Sequence, residues 1–358
     1  MNNTDFLSAV TVRIDEIVSY NKTTIFTIAT TTMQEGNAYL TPIRNNDQFV
    51  IAGCIIFGHK DILSILGIID GVVDVILIDS EKKIPIRVYN NNDRSHKNKT
   101  VGDIETGNIS KICFQHINKS KVFEFKPNDL TVNAAWLFLS QRLHFISGKK
   151  ISILGAGNIG SKLALKLVEC GADVHLYRRD DYKGFNISHG LNLIKPVNTV
   201  STIQFHQSAI QAAFMSDVVI GATSGYQILS EDIINSVKKD CLIVDLGKNN
   251  LSANAVNLAR RNFMEIYRVD VTPALESYVH EMLKMQAILA NSYGRKELGF
   301  CNIVGGGYFG DKGDIVVDKI NKPEQIIGIS DGSGNIKKSL SSADNATIIN
   351  FKKEFGID

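Results

Sequence analysis

Three glycines in one short stretch are the residues of this chain best placed to do chemistry. Gly155, Gly157 and Gly160 follow an apolar run at 151–154 and precede apolar residues at helical spacing over 161–170. In a strand, turn and helix with this spacing, the first glycine allows the tight turn and the second leaves the main chain open to a ligand. The third lets the helix pack closely on the strand. N–H groups and the positive dipole at the helix start then face an anion.

This stretch therefore predicts a turn that binds the diphosphate of a dinucleotide; the alternative is a buried turn with no ligand. The expected contacts come from all six residues: Gly155, Ala156, Gly157, Asn158, Ile159 and Gly160.

The residues after the next predicted strand, 173–177, indicate which dinucleotide binds. Proteins that bind NAD usually place Asp or Glu about 20 residues on, where the carboxylate accepts hydrogen bonds from the ribose. Here that place holds Arg178 and Arg179. A guanidinium pairs with a 2′-phosphate through two hydrogen bonds, whereas a carboxylate repels it. We therefore expect NADP, with NAD less favoured, unless the arginines only pair with Asp180 and Asp181 at the surface.

Further strands are indicated by apolar runs at 217–222, 241–246 and 264–269, with helical segments between them. This alternation predicts an α/β fold with a doubly wound parallel Rossmann sheet. Ligands of such sheets bind at the carboxyl ends of the strands. More cofactor contacts are therefore expected from four residues that follow the fourth and fifth strands: Ala222, Thr223, Ser224 and Gly247.

The segments on either side of this sheet predict the domain organisation. Strands and helices also alternate in the N-terminal third, which indicates a smaller α/β domain. We expect that domain at residues 1–130, a connecting helix at 131–147 and the nucleotide-binding domain at 148–273. The remaining residues, 274–358, begin with a long helix and continue as a β-like C-terminal extension.

Composition limits the partners of this chain. Its 358 residues carry a net charge of +2 and are 44% hydrophobic, as in soluble globular proteins. We expect no nucleic acid and no membrane partner, because this charge creates no attracting field and no apolar run spans a bilayer. Five widely spaced cysteines indicate reduced thiols in a cytoplasmic protein. The eight histidines show no metal-binding spacing, so no metal is expected.

Hydride transfer at a nicotinamide needs a group that moves the accompanying proton. Two candidates are Lys60, which follows the strand predicted at 49–57, and Asp129, just before the connecting helix. Burial beside a cofactor would lower the pKa of a lysine toward neutrality. The alternative is that Lys60 and Asp61 form the solvated first turn of a helix.

Three more residues are candidates for substrate binding. His59 precedes Lys60, Asn133 lies on the connecting helix, and Asp270 follows the sixth predicted strand. The alternative for Asp270 is an ion pair at the strand end with Arg268.

From Asp129 to about Met285 the sequence resembles the two-domain shikimate dehydrogenase family and its relatives, the methylenetetrahydrofolate dehydrogenases and glutamyl-tRNA reductases. The resemblance is carried by GAGNIG at 155–160, YRR at 177–179, DVVIGATSG at 217–225, LIVDLG at 242–247 and the long last helix. It implies an N-terminal domain that holds the substrate, a Rossmann domain that holds NADP, and a last helix that packs back on the first domain. It also implies that residues 222–224 approach the nicotinamide ribose.

The resemblance does not extend to the catalytic segment of shikimate dehydrogenases. Their N-terminal serine pair and NVTxPxK run are absent here, so shikimate is not implied as the substrate.

Together these features predict an NADP-dependent oxidoreductase. It would transfer a hydride to or from a small polar metabolite at a carbonyl or imine carbon. The alternative is a lyase, a cyclase or a sensing protein that holds a dinucleotide without net redox. A homodimer is compatible with the sequence but not required by it.

Overall fold

The computed structural model describes residues 3–31, 36–59, 62–81, 83, 86–89, 100–104, 109–247 and 249–357. The chain divides into two compact units, Met1–Ala274 and Leu275–Asp358. Each unit has buried apolar clusters of its own.

The first part of the larger unit is an α/β layer around a sheet with six described strands. Its elements, in chain order, are α1 (Asn3–Val18), β1 (Thr23–Thr30), β2 (Tyr39–Leu40), β3 (Arg44–Asn45), β4 (Phe49–Ile56), α2 (Ile62–Ile69), β5 (Val75–Asp79), β6 (Ile86–Tyr89), β7 (Thr100–Ile104), α3 (Ile109–His116) and β8 (Lys121–Phe125). The strand order is β2-β4-β1-β5-β8, and β3 also pairs with β4. β6 and β7 form a separate ribbon.

This sheet is stabilised by burial on both faces. β1, β4, β5 and β8 run parallel, and parallel strands need helices on their faces to exclude water. The amphipathic helix α1 supplies one such cover, since Phe6, Val10 and Ile14 recur every four residues and are all buried. The carboxyl ends of the parallel strands therefore lie along one edge of a rigid layer.

The connecting helix α4 (Pro127–Arg142) begins and ends earlier than the predicted 131–147. Proline fits the first helical turn, where its missing N–H would have no partner in any case. Val132, Ala135 and Leu139 of α4 are buried in the same core as the strand that precedes the glycine turn. α4 therefore packs against the sheet that contains this strand, which is described next.

The second sheet carries the glycine turn. Its elements are β9 (Lys150–Leu154), α5 (Asn158–Glu169), β10 (Asp173–Tyr177), α6 (Asp181–Ile194), β11 (Ile203–His206), α7 (Ala209–Ala213), β12 (Val218–Gly221), α8 (Glu231–Ser236), β13 (Leu242–Asp245), α9 (Ala253–Arg261) and β14 (Ile266–Arg268). Among the described strands the order is β11-β10-β9-β12-β13-β14, and each neighbouring pair is parallel. This is the 3-2-1-4-5-6 order of a Rossmann fold, so the predicted fold class is confirmed.

The helix α10 (Thr272–Ser292) runs across the boundary between the two units. The smaller unit continues with β15 (Gly294–Glu297), β16 (Asn302–Gly305), β17 (Ile315–Val317), β18 (Ile326–Ile329) and α11 (Ser342–Phe355). Its four described strands form one sheet, and α11 follows them without a counterpart in the sequence-based interpretation. Ser341 and Asp344 form a capping box at the start of α11. The domain assignments and the packing of the last helix on the first domain stay predictions.

Among the residues that the structure describes, no helix is both long enough and apolar enough to cross a bilayer.

Two histidines lie side by side on β10 and β11. Nδ1 of His175 is 2.7 Å from Nε2 of His206, and the rings stack with centroids 4.9 Å apart. Nε2 of His175 also lies 3.3 Å from the carboxylate of Asp173. Two imidazoles share a hydrogen bond only while at least one of them is neutral. Burial lowers the pKa of both histidines, and the charge of Lys150 acts in the same direction.

This pair predicts a loss of stability in acid. The unfolded chain takes up protons near pH 6.5, whereas the folded chain resists protonation until a lower pH, so the stabilisation is complete above about pH 6.5 and falls below it. Replacing both residues (His175→Asn and His206→Asn) should flatten the fall in Tm between about pH 7.5 and 5.5, measured by circular dichroism. His189→Asn, an exposed site on α6, is the control. An unchanged pH slope in the double variant would contradict this assignment.

Candidate functional site

A cleft of about 500 Å³ lies at the carboxyl ends of β9, β10 and β12. It is lined by residues from three segments: 155–157 of the glycine turn; 177–180 and 183 after β10; and 222–224, 226 and 228 after β12. Ligands of doubly wound sheets bind at this edge, where the strand order reverses.

The glycine turn is packed tightly on two sides and open on the third. Gly155 has a φ of +125°, and a Cβ there would lie 2.6 Å from the carbonyl oxygen of Ala222. A Cβ on Gly160 would overlap the carbonyl oxygen of Gly155. A Cβ on Gly157, in contrast, would meet nothing within 4 Å. The backbone of Gly157 is therefore open to the cleft, with no protein atom covering it on that side.

The start of α5 completes this anion-binding geometry. Gly157 is the N-cap residue, and it has no side chain to accept hydrogen bonds from the N–H groups of the first turn. Those N–H groups and the helix dipole attract negative charge. The chemistry of the turn therefore fits a diphosphate, and no side chain at residue 157 obstructs it.

Three cationic side chains lie in the same cleft. Arg178 is half-buried, and its Nη1 donates a hydrogen bond to the carbonyl oxygen of Ala156. Arg179 is exposed, as is Lys183 in the first turn of α6. Arg178 is thus held against the glycine turn, whereas the side chains of Arg179 and Lys183 face solvent.

Asp180 is the acidic neighbour of these cations. Its carboxylate caps α6, accepting a hydrogen bond from the backbone N–H of Lys183 at 3.0 Å, with Lys183 Nζ 3.4 Å away. The backbone hydrogen bond lowers the pKa of the Asp180 carboxyl. In the described part of the chain, Asp180 therefore forms its ion pair with Lys183, while the charge of Arg178 also lowers the pKa of the Asp180 carboxyl. Sequence reasoning missed Lys183, although its place three residues after a capping Asp was a usable signal.

The loop after β12 is tied to the end of β13 by a buried amide. The backbone N–H of Thr223 donates to Oδ1 of Asn250 at 2.9 Å, and Nδ2 of Asn250 donates to Asp245 at 2.8 Å. Two nitrogens of Arg268 donate to the other oxygen of Asp245, each at 3.1 Å. A Cβ on Gly247 would overlap the carbonyl oxygen of Thr223. Sequence reasoning missed Asn250, which is 27 residues from Thr223 and belongs to no motif.

Of the two proposed proton-transfer residues, Asp129 is described by the structure, and it does not line this cleft. Asp129 lies in the first turn of α4, paired with Lys162 of α5 and 3.8 Å from Lys126. The carboxylate is 39% exposed and is not among the residues that line the cleft. Lys60 lies outside the described residues. Both assignments stay predictions.

The proposed substrate residues are spread over three elements. His59 is half-buried just after β4, and its carbonyl oxygen accepts a hydrogen bond from the N–H of Ile62 at 3.2 Å. Asn133 is exposed on α4. Asp270 accepts a hydrogen bond from the backbone N–H of Thr272 at 2.9 Å, which lowers the pKa of its carboxyl. These three also stay predictions.

The start of α10 is connected to the first sheet. Nε of Arg44, from β3, donates to the hydroxyl of Thr272 at 2.9 Å. Asp270 therefore lies near this junction, and the charge of Arg44 also lowers its pKa. Within the described ranges, no group of three or more His, Cys, Asp or Glu side chains could hold a metal ion.

No protein-family model matches the chain. Among curated proteins, a glutamyl-tRNA reductase from Thermosipho melanesiensis is 32% identical over 102 residues, which is 28% of this chain and 26% of that protein. The chain thus matches about a quarter of the length of this curated relative.

Solved structures resemble the chain more broadly but weakly. A dipicolinate synthase chain from Bacillus halodurans matches 74% of this chain and 97% of its own length, with 13% identity and a TM-score of 0.35. Shikimate dehydrogenase from Aquifex aeolicus matches 41% of this chain and 51% of its own length, with 19% identity and a TM-score of 0.32. Two of the families named from the sequence are therefore among these matches. At such low identities and TM-scores, the functions of the solved structures are not carried over.

The arrangement of cations in the cleft predicts nucleotide selectivity. Arg178→Ala and Arg179→Ala should each weaken NADP binding about 10-fold or more, because a charge-assisted hydrogen bond to the 2′-phosphate is lost. NAD binding should change by about threefold or less, as measured by isothermal titration calorimetry. Lys239→Ala removes an exposed cation of the same domain outside the cleft and is the control. An equal loss for both nucleotides would refute the selectivity role.

The packing of the glycine turn predicts opposite effects at two helical glycines. Gly160→Ala should lower the free energy of unfolding by about 2 kcal/mol, because its Cβ meets a backbone oxygen that cannot move aside. Gly190→Ala should raise it by about 0.5–1 kcal/mol, since Gly190 lies in α6 with no atom within 4 Å of the new Cβ. Urea unfolding measures both values. Similar effects at the two sites would contradict the close approach of α5 to its turn.

Proposed function

We propose that this chain is an NADP-dependent oxidoreductase that transfers a hydride to or from a small polar metabolite at a carbonyl or imine carbon. The observation that supports it most directly is the cleft in which bare main chain, a helix start and three cationic side chains meet. Two groups of the cofactor, the diphosphate and the 2′-phosphate, have complementary groups in this cleft.

The diphosphate is assigned to the turn at residues 155–160. The missing Cβ of Gly157 allows its oxygens to reach the backbone N–H groups of α5, and the helix dipole favours their charge. A diphosphate needs no side-chain cation at this point. The cations nearby are therefore available for a different phosphate.

The 2′-phosphate is assigned to the cations after β10. A 2′-phosphate is a dianion that a guanidinium binds with two parallel hydrogen bonds. Arg178 is already held at the glycine turn through Ala156, so little side-chain entropy is lost when it binds. Asp180, which would repel the phosphate, is engaged with Lys183. Lys183 is added to Arg178 and Arg179 as a residue that offsets this repulsion.

When bound, NADP(H) supplies or accepts the hydride, and the chain must supply the accompanying proton transfer. We assign this role to Lys60 or Asp129, with His59, Asn133 and Asp270 as candidate substrate contacts. The ion pair with Lys162 keeps the Asp129 carboxylate beside α5, the helix that begins at the glycine turn. If Asp129 moves the proton, its carboxylate is held by an ion pair to the same helix whose start binds the diphosphate.

A cytoplasmic location and a homodimer complete the proposal. The cysteines described by the structure are free thiols, including the buried Cys54, Cys113 and Cys241. Burial raises the pKa of Cys113 and of Cys241 to about 12, so these thiols carry little thiolate character, and unpaired cysteines are typical of a reducing compartment. The oligomeric state is tested by light scattering.

The proposal is tested by incubating the purified protein with NADPH and a panel of small polar carbonyl and imine compounds. We expect the absorbance of the reduced nicotinamide to fall with some of them, and to fall less than a tenth as fast with Asp129→Asn if Asp129 moves the proton. Asp181→Asn, an exposed carboxylate on α6, is the control. NADPH that binds but is never consumed would favour the sensing alternative. Substrate that is converted while the cofactor stays unchanged would favour a lyase or a cyclase.

A further inference from the structure

The side chain of Asn250 is fully buried beneath the loop after β12. It occupies a slot between two glycines, since a Cβ on Gly221 would lie 2.7 Å from the Cβ of Asn250 and a Cβ on Gly247 would overlap its amide nitrogen. A buried amide is tolerated only when its hydrogen bonds are satisfied. Asn250 meets this condition through Thr223 on one side and Asp245 on the other.

The orientation of this amide is determined by its neighbours. Both oxygens of Asp245 accept hydrogen bonds, one from Asn250 and the other from Arg268, so the NH₂ group of Asn250 faces Asp245. The carbonyl oxygen of Asn250 must then face the backbone N–H of Thr223. Arg268 donates twice to Asp245 and balances the buried charge. The series of hydrogen bonds from Arg268 through Asp245 and Asn250 therefore fixes the position of the Thr223 backbone N–H.

The loop that Asn250 binds also packs against the glycine turn. A Cβ on Gly155 would lie 2.6 Å from the carbonyl oxygen of Ala222 and 3.1 Å from the backbone nitrogen of Thr223. Residues 222 and 223 are thus held between the glycine turn and Asn250. A change at Asn250 alters how this loop borders the cleft without touching the cations after β10.

The two ends of the cleft serve different halves of a dinucleotide. With the diphosphate at the glycine turn, the adenosine half extends toward the end of β10, where Arg178 lies. The other half must extend across the strand-order reversal toward β12, where Thr223 lies. The hydrogen bonds that position Thr223 therefore affect the part of the cleft that would receive the nicotinamide half.

We propose that Asn250 is a positioning residue, which holds the loop at 222–225 in the form that receives the nicotinamide half of the cofactor, with Asp245 and Arg268 fixing its amide. This inference rests on the proposed function for its ligand. The positioning of the loop itself is independent of any ligand.

The first test is amide hydrogen exchange of the protein without nucleotide. Asn250→Ala removes the acceptor of the Thr223 N–H, so exchange of that amide should become about 10-fold faster or more, while amides of β9 and β12 keep their protection. Asn257→Ala, an exposed asparagine on α9, is the control. Unchanged exchange at Thr223 would overturn the proposal. If Asn250→Ala does not fold, Arg268→Ala, whose side chain is 64% exposed, replaces it, with about threefold faster exchange expected.

The second test separates the two halves of the cofactor. Calorimetry with Asn250→Ala should show NADPH bound about 10-fold more weakly, and adenosine 2′,5′-bisphosphate, which lacks the nicotinamide half, within about twofold of the wild type. Arg178→Ala should weaken both ligands. An equal loss of both in Asn250→Ala would mean a merely structural role and would overturn the proposal.

The outcomes for the two proposals remain distinguishable. If the wild-type protein binds neither ligand, the proposed function fails, and the exchange experiment alone decides whether Asn250 positions the loop.

Discussion

The close approach of bare main chain at Gly155 to the loop after β12 is the contact on which the rest of the site depends. No side chain separates the two segments, because a Cβ on Gly155 would lie 2.6 Å from the carbonyl oxygen of Ala222. Gly160 lets the start of α5 pack directly on the turn, because a Cβ there would overlap the carbonyl oxygen of Gly155. The two tightly packed glycines fix the shape of the turn, and the open one leaves the backbone N–H groups of the helix start accessible to an anion.

Charge is distributed around this cleft in a consistent way. The cations lie after β10, where Arg178 is fixed by Ala156 and Asp180 is engaged by Lys183. On the opposite side, the exposed Arg268 pairs with the buried Asp245, which in turn accepts a hydrogen bond from the buried Asn250. One side can therefore recognise an added phosphate, while the other maintains shape. This difference between the two sides of the cleft supports the proposal that each side contacts a different half of the cofactor.

The sequence predicted the parts of the structure that depend on local chemistry. The glycine spacing and the apolar runs around it were sufficient to place β9, α5 and β10, because turn, helix and strand there are specified by neighbouring residues. The position of Arg178 and Arg179 directly after β10 follows from the same local pattern, and their role at a 2′-phosphate stays a prediction. Asn250 could not be predicted in this way, since it meets Thr223, 27 residues earlier in the chain, only when β12 and β13 pair in the folded sheet. Short helices such as α7, with five residues, carry too little periodicity to be recognised.

The central claim is that the open main chain at Gly157 receives the diphosphate of NADP. Gly157→Val tests it most directly, since the new side chain meets no protein atom within 4 Å of its Cβ and the backbone there is extended, at φ −93° and ψ −161°. The variant should fold, with the free energy of unfolding lowered by about 1 kcal/mol or less because valine is a poorer N-cap residue than glycine, and calorimetry should show that binding of NADPH and NADH is lost together. Binding of either nucleotide by Gly157→Val as tightly as by the wild type would contradict the account.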